Sequence, residues 1–141
     1  MICYAVIDTS VLVSALLSSK DDAATVQVFR EVIAGEIIPV YSNTIMKEYF
    51  EVLSRKKFGF SRELIKSLIS GIKKHGVFVD PFPSDISLPD MKDIPFYEAA
   101  LEKRNDNVYL VTGNIKHFPK EPFIVTPREL LDIISKNSKT V

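Results

Sequence analysis

The fold is decided by residues 2–10, which read ICYAVIDTS. This apolar run contains β-branched residues and ends abruptly at the carboxylate of Asp8. A nearly continuous apolar strand is typical of a parallel sheet that helices cover on both faces. In such sheets, ligands bind outside the carboxyl ends of the strands. The stretch therefore predicts a buried strand with Asp8 at the edge where a binding site is expected.

Further apolar segments follow, some with the period of strands and some with that of helices. Runs bounded by Gly, Pro or polar residues predict strands, and apolar residues three or four apart predict helices. The strands are predicted over 37–41, 77–79, 108–111 and 123–125, and the helices over 11–18, 23–34, 44–57, 61–75 and 127–136, with another that begins at Pro95. Strands that alternate with helices imply parallel βαβ units. We therefore expect one α/β domain over 1–141, a three-layer α/β/α sandwich with a central parallel sheet.

Composition excludes several classes of protein. The 18 Lys and Arg residues balance 18 Asp and Glu residues, so the chain is not a general binder of polyanions. Cys3, the one cysteine, is expected to be a small buried hydrophobic residue, and with two histidines a zinc site is not expected. The chain has no Gly-Lys-Ser/Thr phosphate-binding loop. Because no signal peptide or membrane span is recognisable, we expect a cytoplasmic protein without membrane contact.

Helix phases separate inward-leaning acids from solvated ones. At about 100° per residue, Glu48 lies at the edge of the apolar arc of its helix, whereas Glu51 lies nearly opposite that arc. Asp93 stands at the entrance of the helix that follows it, on the inner side, and Glu98 faces away. The apolar arc of the 44–57 helix is predicted to consist of Ile45, Met46, Tyr49, Phe50, Val52 and Leu53.

Four side chains are candidates for a site at the carboxyl edge of the sheet. If the strand of Asp8 is central, Glu48, Asp93 and Asn114 can reach the same edge. Clustered carboxylates repel one another unless a cation is present. Hard oxygen ligands suit Mg²⁺ or Mn²⁺, which activate water and stabilise charge on a phosphodiester. Each residue also has a structural alternative, because Asp8 and Asp93 suit helix caps, Glu48 a solvated helix face and Asn114 a turn.

Four motifs surround these residues: VIDTS at 6–10, SNTIMKEY at 42–49, DMKDIPF at 90–96 and YLVTGN at 109–114. In these motifs the chain resembles the PIN-domain family, in the branch of toxins from toxin–antitoxin systems. The resemblance implies a metal-dependent endoribonuclease with an α/β/α fold, in which Asp8, Glu48 and Asp93 bind Mg²⁺ or Mn²⁺.

The resemblance also assigns supporting residues. Thr9, Ser10 and Thr112 match hydroxyl positions that support the site. Asn114 stands where many members have Asp, so we expect it to assist catalysis as an auxiliary ligand through water, with Asp90 compensating in part. The implied partners are an RNA substrate, a protein antitoxin and further copies of the chain in a homo-oligomer.

Basic residues near Asn114 are candidates for RNA contact. Lys116, His117 and Lys120 follow Asn114, so we expect them to lie close enough to the site to bind phosphate. The basic clusters at 55–57 and 73–75 are expected to be solvated surfaces.

Two other functions compete with a nuclease. A PIN-like module that binds RNA or protein with weak or no catalysis is favoured by the missing charge at Asn114. A phosphohydrolase with Asp8 as nucleophile usually has a second Asp two positions later, where this chain has Ser10.

Overall fold

A five-stranded parallel sheet forms the centre of the computed structural model, which describes residues 3–139. The strand order is β3-β2-β1-β4-β5, and every neighbouring pair is parallel. β1 is therefore central, which is the condition under which the four candidate side chains can reach the same edge of the sheet. The strands are β1 Cys3–Ile7, β2 Ile37–Tyr41, β3 Val77–Phe78, β4 Tyr109–Val111 and β5 Ile124–Val125.

Six helices in the described residues complete the predicted α/β/α sandwich. Four 3-10 turns connect them, at Lys56–Phe58, Met91–Asp93, Arg104–Asp106 and Ile115–His117. No helix within 3–139 combines the length and the apolar character needed to cross a membrane. The helices are α1 Thr9–Leu17, α2 Ala24–Ile33, α3 Asn43–Leu53, α4 Arg62–His75, α5 Ile94–Lys103 and α6 Pro127–Lys139.

The interior on both faces of β1 explains its composition. Ala5 and Val6 are fully buried although they point to opposite faces. Cys3 is buried as predicted, and burial raises the pKa of its thiol to about 11, which disfavours the reactive thiolate.

The helix that carries Glu48 begins where predicted but ends earlier. Ser42 follows β2 directly, and its hydroxyl accepts a hydrogen bond from the Ile45 N–H at 3.2 Å, which caps α3. The prediction that this helix extends to residue 57 was wrong, because α3 ends at Leu53 and the chain then turns back through Gly59 at a φ of 68°. The prediction of an inward Phe50 was also wrong. Its side chain is 52% exposed, because the buried stripe of α3 is narrower than the apolar arc.

Candidate functional site

Asp8 occupies the end of the central strand and is held by the neighbouring strand. Its N–H donates to the Val111 carbonyl at 2.9 Å, and its carboxylate accepts from the Thr112 hydroxyl at 2.6 Å. Thr112 follows β4 and is fully buried, and its hydroxyl oxygen accepts the Asn114 N–H at 2.9 Å. Because that oxygen is an acceptor for Asn114, its own hydrogen is directed at Asp8. The end of β4 thus fixes the orientation of a carboxylate that is itself 5% exposed.

The structure does not support the alternative of side-chain helix caps for the two aspartates. Asp8 stands at the N-cap position of α1 and Asp93 at that of α5, but neither side chain makes a capping hydrogen bond. Asp8 serves α1 through its backbone, since the Val11 N–H donates to its carbonyl at 2.9 Å. Both carboxylates are therefore available for other interactions.

Glu48 meets the start of α1 from α3. Its carboxylate accepts a hydrogen bond from the Thr9 hydroxyl at 2.5 Å, and its side chain is half-buried. Glu51, three residues further along α3, is exposed. The inward lean of Glu48 and the outward direction of Glu51 agree with the predicted helix phase.

Tyr49 is a residue of this site that the sequence argument placed only in the apolar arc. It is buried, and its phenol donates a hydrogen bond to the Ile7 carbonyl, directly before Asp8. Burial raises the pKa of this phenol well above its ordinary value, and the charges of Asp8 and Glu48 raise it further. Tyr49 thus joins α3 to the end of β1. A buried phenol needs a hydrogen-bond partner. Since Tyr49 is the neighbour of Glu48 in the sequence, a partner for its phenol near the candidate site could have been predicted.

Asp93 approaches from the entrance of α5 and contacts His117. The Nδ1 atom of His117 lies 3.2 Å from the carboxylate of Asp93. The side chain of Asp93 is 15% exposed and that of His117 is 45% exposed. His117, which the sequence argument assigned to RNA phosphate, is therefore engaged with one of the predicted ligands.

The other predicted residues are placed around these three acids. Ser10 has a buried hydroxyl without a hydrogen-bond partner among the described residues. Asp90 accepts the Lys92 N–H at 3.0 Å and so caps the turn before α5. The side chain of Asn114 is exposed, and its interaction with Thr112 is made by its backbone. Lys116 is exposed within the 3-10 turn at Ile115–His117, and Lys120 is exposed after it.

The prediction that Glu98 faces away was wrong. Its side chain is half-buried, and its carboxylate accepts a hydrogen bond from the Ser84 N–H. The irregular connection that precedes α5 supplies this partner, which helix phase alone does not reveal.

A family comparison now identifies the kind of domain. The family model described as PIN domain matches residues 4–116, which include Asp8, Glu48, Asp93 and Asn114. The chain belongs to the PIN domain family. Comparisons with curated proteins and with solved structures found no match. PIN domains are generally metal-dependent nucleases, and a divalent metal in such a domain would need oxygen ligands such as these acids.

The three acids influence one another electrostatically. Burial raises the pKa of Glu48, the Thr9 hydrogen bond lowers it, and the charges of Asp8 and Asp93 raise it again. Burial likewise raises the pKa of Asp93, as does the charge of Asp8, whereas His117 lowers it. The charges of Asp8 and Asp93 thus make ionisation of Glu48 less favourable, and the charge of Asp8 does the same for Asp93. A nearby cation would oppose both effects.

The donor chemistry of this PIN domain fits a divalent cation. The three acids and the nearby hydroxyls offer only hard oxygen atoms, which suit Mg²⁺ or Mn²⁺ better than softer metals. The buried, unpartnered hydroxyl of Ser10 provides one more oxygen. Within 3–139, no three His, Cys, Asp or Glu side chains are placed so that they could hold one ion. The roles of Asp8, Glu48 and Asp93 as ligands stay predictions.

Proposed function

We propose that this PIN domain is a Mg²⁺- or Mn²⁺-dependent endoribonuclease that hydrolyses RNA phosphodiester bonds. The observation that carries the proposal is that the charge of Asp8 acts on both Glu48 and Asp93, although the three acids come from different parts of the fold. A bound cation would relieve this repulsion.

The proposal gives each residue a defined task. Asp8, Glu48 and Asp93 would hold the cation, and Asn114 would contribute through a water molecule. When bound, such an ion lowers the pKa of water and stabilises charge on a phosphodiester. Lys116 on its turn would attract the phosphates of the RNA, since its side chain is exposed.

The test compares two glutamates of the same helix. Glu48→Gln removes a proposed ligand, whereas Glu51→Gln removes an exposed charge three residues away. We expect Glu48→Gln to lower RNA cleavage by at least about 100-fold, since even outer partners of metal ligands are worth about 10–100-fold. Glu51→Gln should retain nearly full activity, and EDTA should abolish cleavage by the wild type. Equal losses in both variants, or cleavage that resists EDTA, would overturn the proposal.

A second candidate is a PIN-like module that binds RNA with weak or no catalysis. It is favoured by the absence, within the described residues, of three side chains placed to hold one ion. The amide of Asn114, which carries no charge, also favours it. Binding of RNA in EDTA, measured by fluorescence anisotropy, without cleavage in Mg²⁺ or Mn²⁺ would select this function.

We also propose that the protein is the toxin of a toxin–antitoxin pair, acts as a homo-oligomer and is neutralised by a protein antitoxin. This rests on the resemblance of the four sequence motifs to that branch. Expression of the wild type should arrest bacterial growth, and expression of the Asp8→Asn variant should not. Normal growth with abundant, folded wild-type protein would argue against a toxin.

A further inference from the structure

Each acid of the candidate site accepts a hydrogen bond from a different side chain. Each of these hydrogen bonds involves one oxygen of the carboxylate and leaves the second oxygen for another interaction. The pairs are Asp8 with Thr112, Glu48 with Thr9, and Asp93 with His117. The two threonines come from the motifs of the candidate site. His117 lies beyond residue 116, where the family match ends, and therefore stands outside that pattern.

The chemistry of the third pair fixes which histidine nitrogen is protonated. The Nδ1 of His117 faces the Asp93 carboxylate, and when Asp93 is ionised this nitrogen carries the hydrogen, because an ionised carboxylate only accepts hydrogen bonds. His117 also lowers the pKa of Asp93, against the effects of burial and of Asp8. The contact at 3.2 Å joins the Asp93 carboxylate to the 3-10 turn at Ile115–His117.

The backbone around His117 is well anchored. Its N–H donates to the Asn114 carbonyl at 2.9 Å, and the Phe118 N–H donates to the Ile115 carbonyl at 3.3 Å. Phe118 is 7% exposed and packs in the core. A histidine on so short and fixed a turn can hold a partner in one orientation.

The segment 112–118 begins at Thr112, which holds Asp8, and includes His117, which holds Asp93. Asp8 follows β1, and Asp93 precedes α5, so the two carboxylates belong to separate parts of the fold. One short segment after β4 thus contacts both carboxylates.

We infer that His117 is a positioning residue that orients the carboxylate of Asp93 relative to Asp8 through the segment 112–118. The inference rests on the proposed function, in which Asp93 is a metal ligand. It replaces the expectation that His117 binds RNA phosphate. His117 need not touch the substrate, because its Nδ1 is directed at Asp93.

Two amide variants separate positioning from phosphate contact. His117→Asn retains an N–H donor near the place of Nδ1, whereas His117→Gln places one near that of Nε2. His117→Ala removes both. We expect His117→Ala and His117→Gln to weaken Mn²⁺ binding by about 10–100-fold, as the loss of an outer partner does, and His117→Asn to restore most of it. Isothermal titration calorimetry of Mn²⁺ into the metal-free variants measures this.

The kinetics and the stability of the variants provide further checks. At subsaturating Mn²⁺, kcat for RNA cleavage should fall in His117→Ala and His117→Gln, with KM for RNA unchanged. Melting temperatures of the metal-free proteins should differ little, because the side chain of His117 is 45% exposed. A raised KM with unchanged Mn²⁺ affinity would overturn the inference in favour of phosphate contact. The inference would also be overturned if His117→Gln, but not His117→Asn, restored the Mn²⁺ affinity, or if all three variants behaved like the wild type.

A measurement without metal keeps this inference separate from the proposed function. Three-bond NMR couplings report the χ1 rotamer of Asp93 in the metal-free protein. One rotamer should dominate in the wild type and in His117→Asn, and several should be populated in His117→Ala. If the wild type binds no Mn²⁺, the proposed function fails, but the rotamers still decide whether His117 orients Asp93. Unchanged rotamers in His117→Ala would overturn the positioning role even if the wild type is a nuclease.

Discussion

Replacing Thr112 by Val removes one hydroxyl and keeps the size and branching of the side chain. In the wild type that hydroxyl donates to Asp8 at 2.6 Å and accepts from the Asn114 N–H at 2.9 Å. Thr112 is fully buried and Asp8 is 5% exposed, so water has little access to the Asp8 carboxylate that loses its donor. The variant therefore tests whether the end of β4 supports the carboxylate at the end of β1.

The expected cost follows from the two hydrogen bonds. A bond to a charged group contributes about 1.5–3 kcal/mol and a neutral one about 1 kcal/mol, so Thr112→Val should lower the free energy of unfolding by about 3 kcal/mol. Unfolding entropy is about 2.1 cal/mol/K per residue, so for 141 residues this corresponds to a melting temperature lower by roughly 10 °C. Thr112→Ser keeps the hydroxyl and loses one methyl group, which costs about 0.8 kcal/mol.

Urea denaturation of the metal-free proteins provides the measurement. Thr112→Val should be clearly less stable than Thr112→Ser, and only the Val variant should also lose Mn²⁺ affinity, because Asp8 is no longer oriented. Equal stabilities for the two variants would refute the reasoning. A cost well below that of one hydrogen bond in Thr112→Val would do the same.

Two further predictions concern α3. Glu48→Gln should stabilise the metal-free protein at neutral pH, because the folded-state pKa of Glu48 is raised and its ionisation therefore destabilises the fold. Below the ordinary pKa of 4.5 the glutamate is protonated in both the folded and the unfolded state, so the advantage of the variant should disappear. Urea denaturation at both pH values measures this, and a difference in stability that does not change with pH would contradict it. Tyr49→Phe removes the bond to the Ile7 carbonyl and should lower the free energy of unfolding by about 1–2 kcal/mol, with unchanged stability as the contrary result.

Local sequence rules predicted the architecture because they act over a few residues. The apolar run before Asp8 predicted burial on both faces, and β1 does lie in the middle of the sheet. The helices predicted from residues 44 and 61 begin within one residue of those positions, where the hydroxyls of Ser42 and Ser61 each accept the N–H of the residue three positions later. Phe50 was misplaced because a period of about 3.6 residues defines the centre of a helix face better than its edges.

Partners distant in sequence were beyond those rules. Tyr49 and Ile7 are separated by 42 residues, and His117 and Asp93 by 24. Which polar group meets which depends on how the helices pack on the sheet, and that packing has no local signature. The candidate acids could be predicted because each stands at an element end or on a helix face, whereas the donors that hold them could be assigned only from the fold.

The stability of this fold and its proposed chemistry draw on the same charges. The charge of Asp8 makes ionisation of Glu48 and of Asp93 less favourable, and the hydrogen bonds to Thr9 and His117 offset part of that cost. A ligand that binds only the folded state at 100 times its Kd adds about 2.7 kcal/mol, comparable to the hydrogen bonds of Thr112. Removal of one of these charges should therefore raise the free energy of unfolding of the metal-free protein and reduce the further increase that metal binding provides. If the three acids served only the fold, removal of one charge would lower the stability of the metal-free protein and leave its response to metal unchanged. The signs of these two changes therefore separate a metal-binding site from a structural cluster.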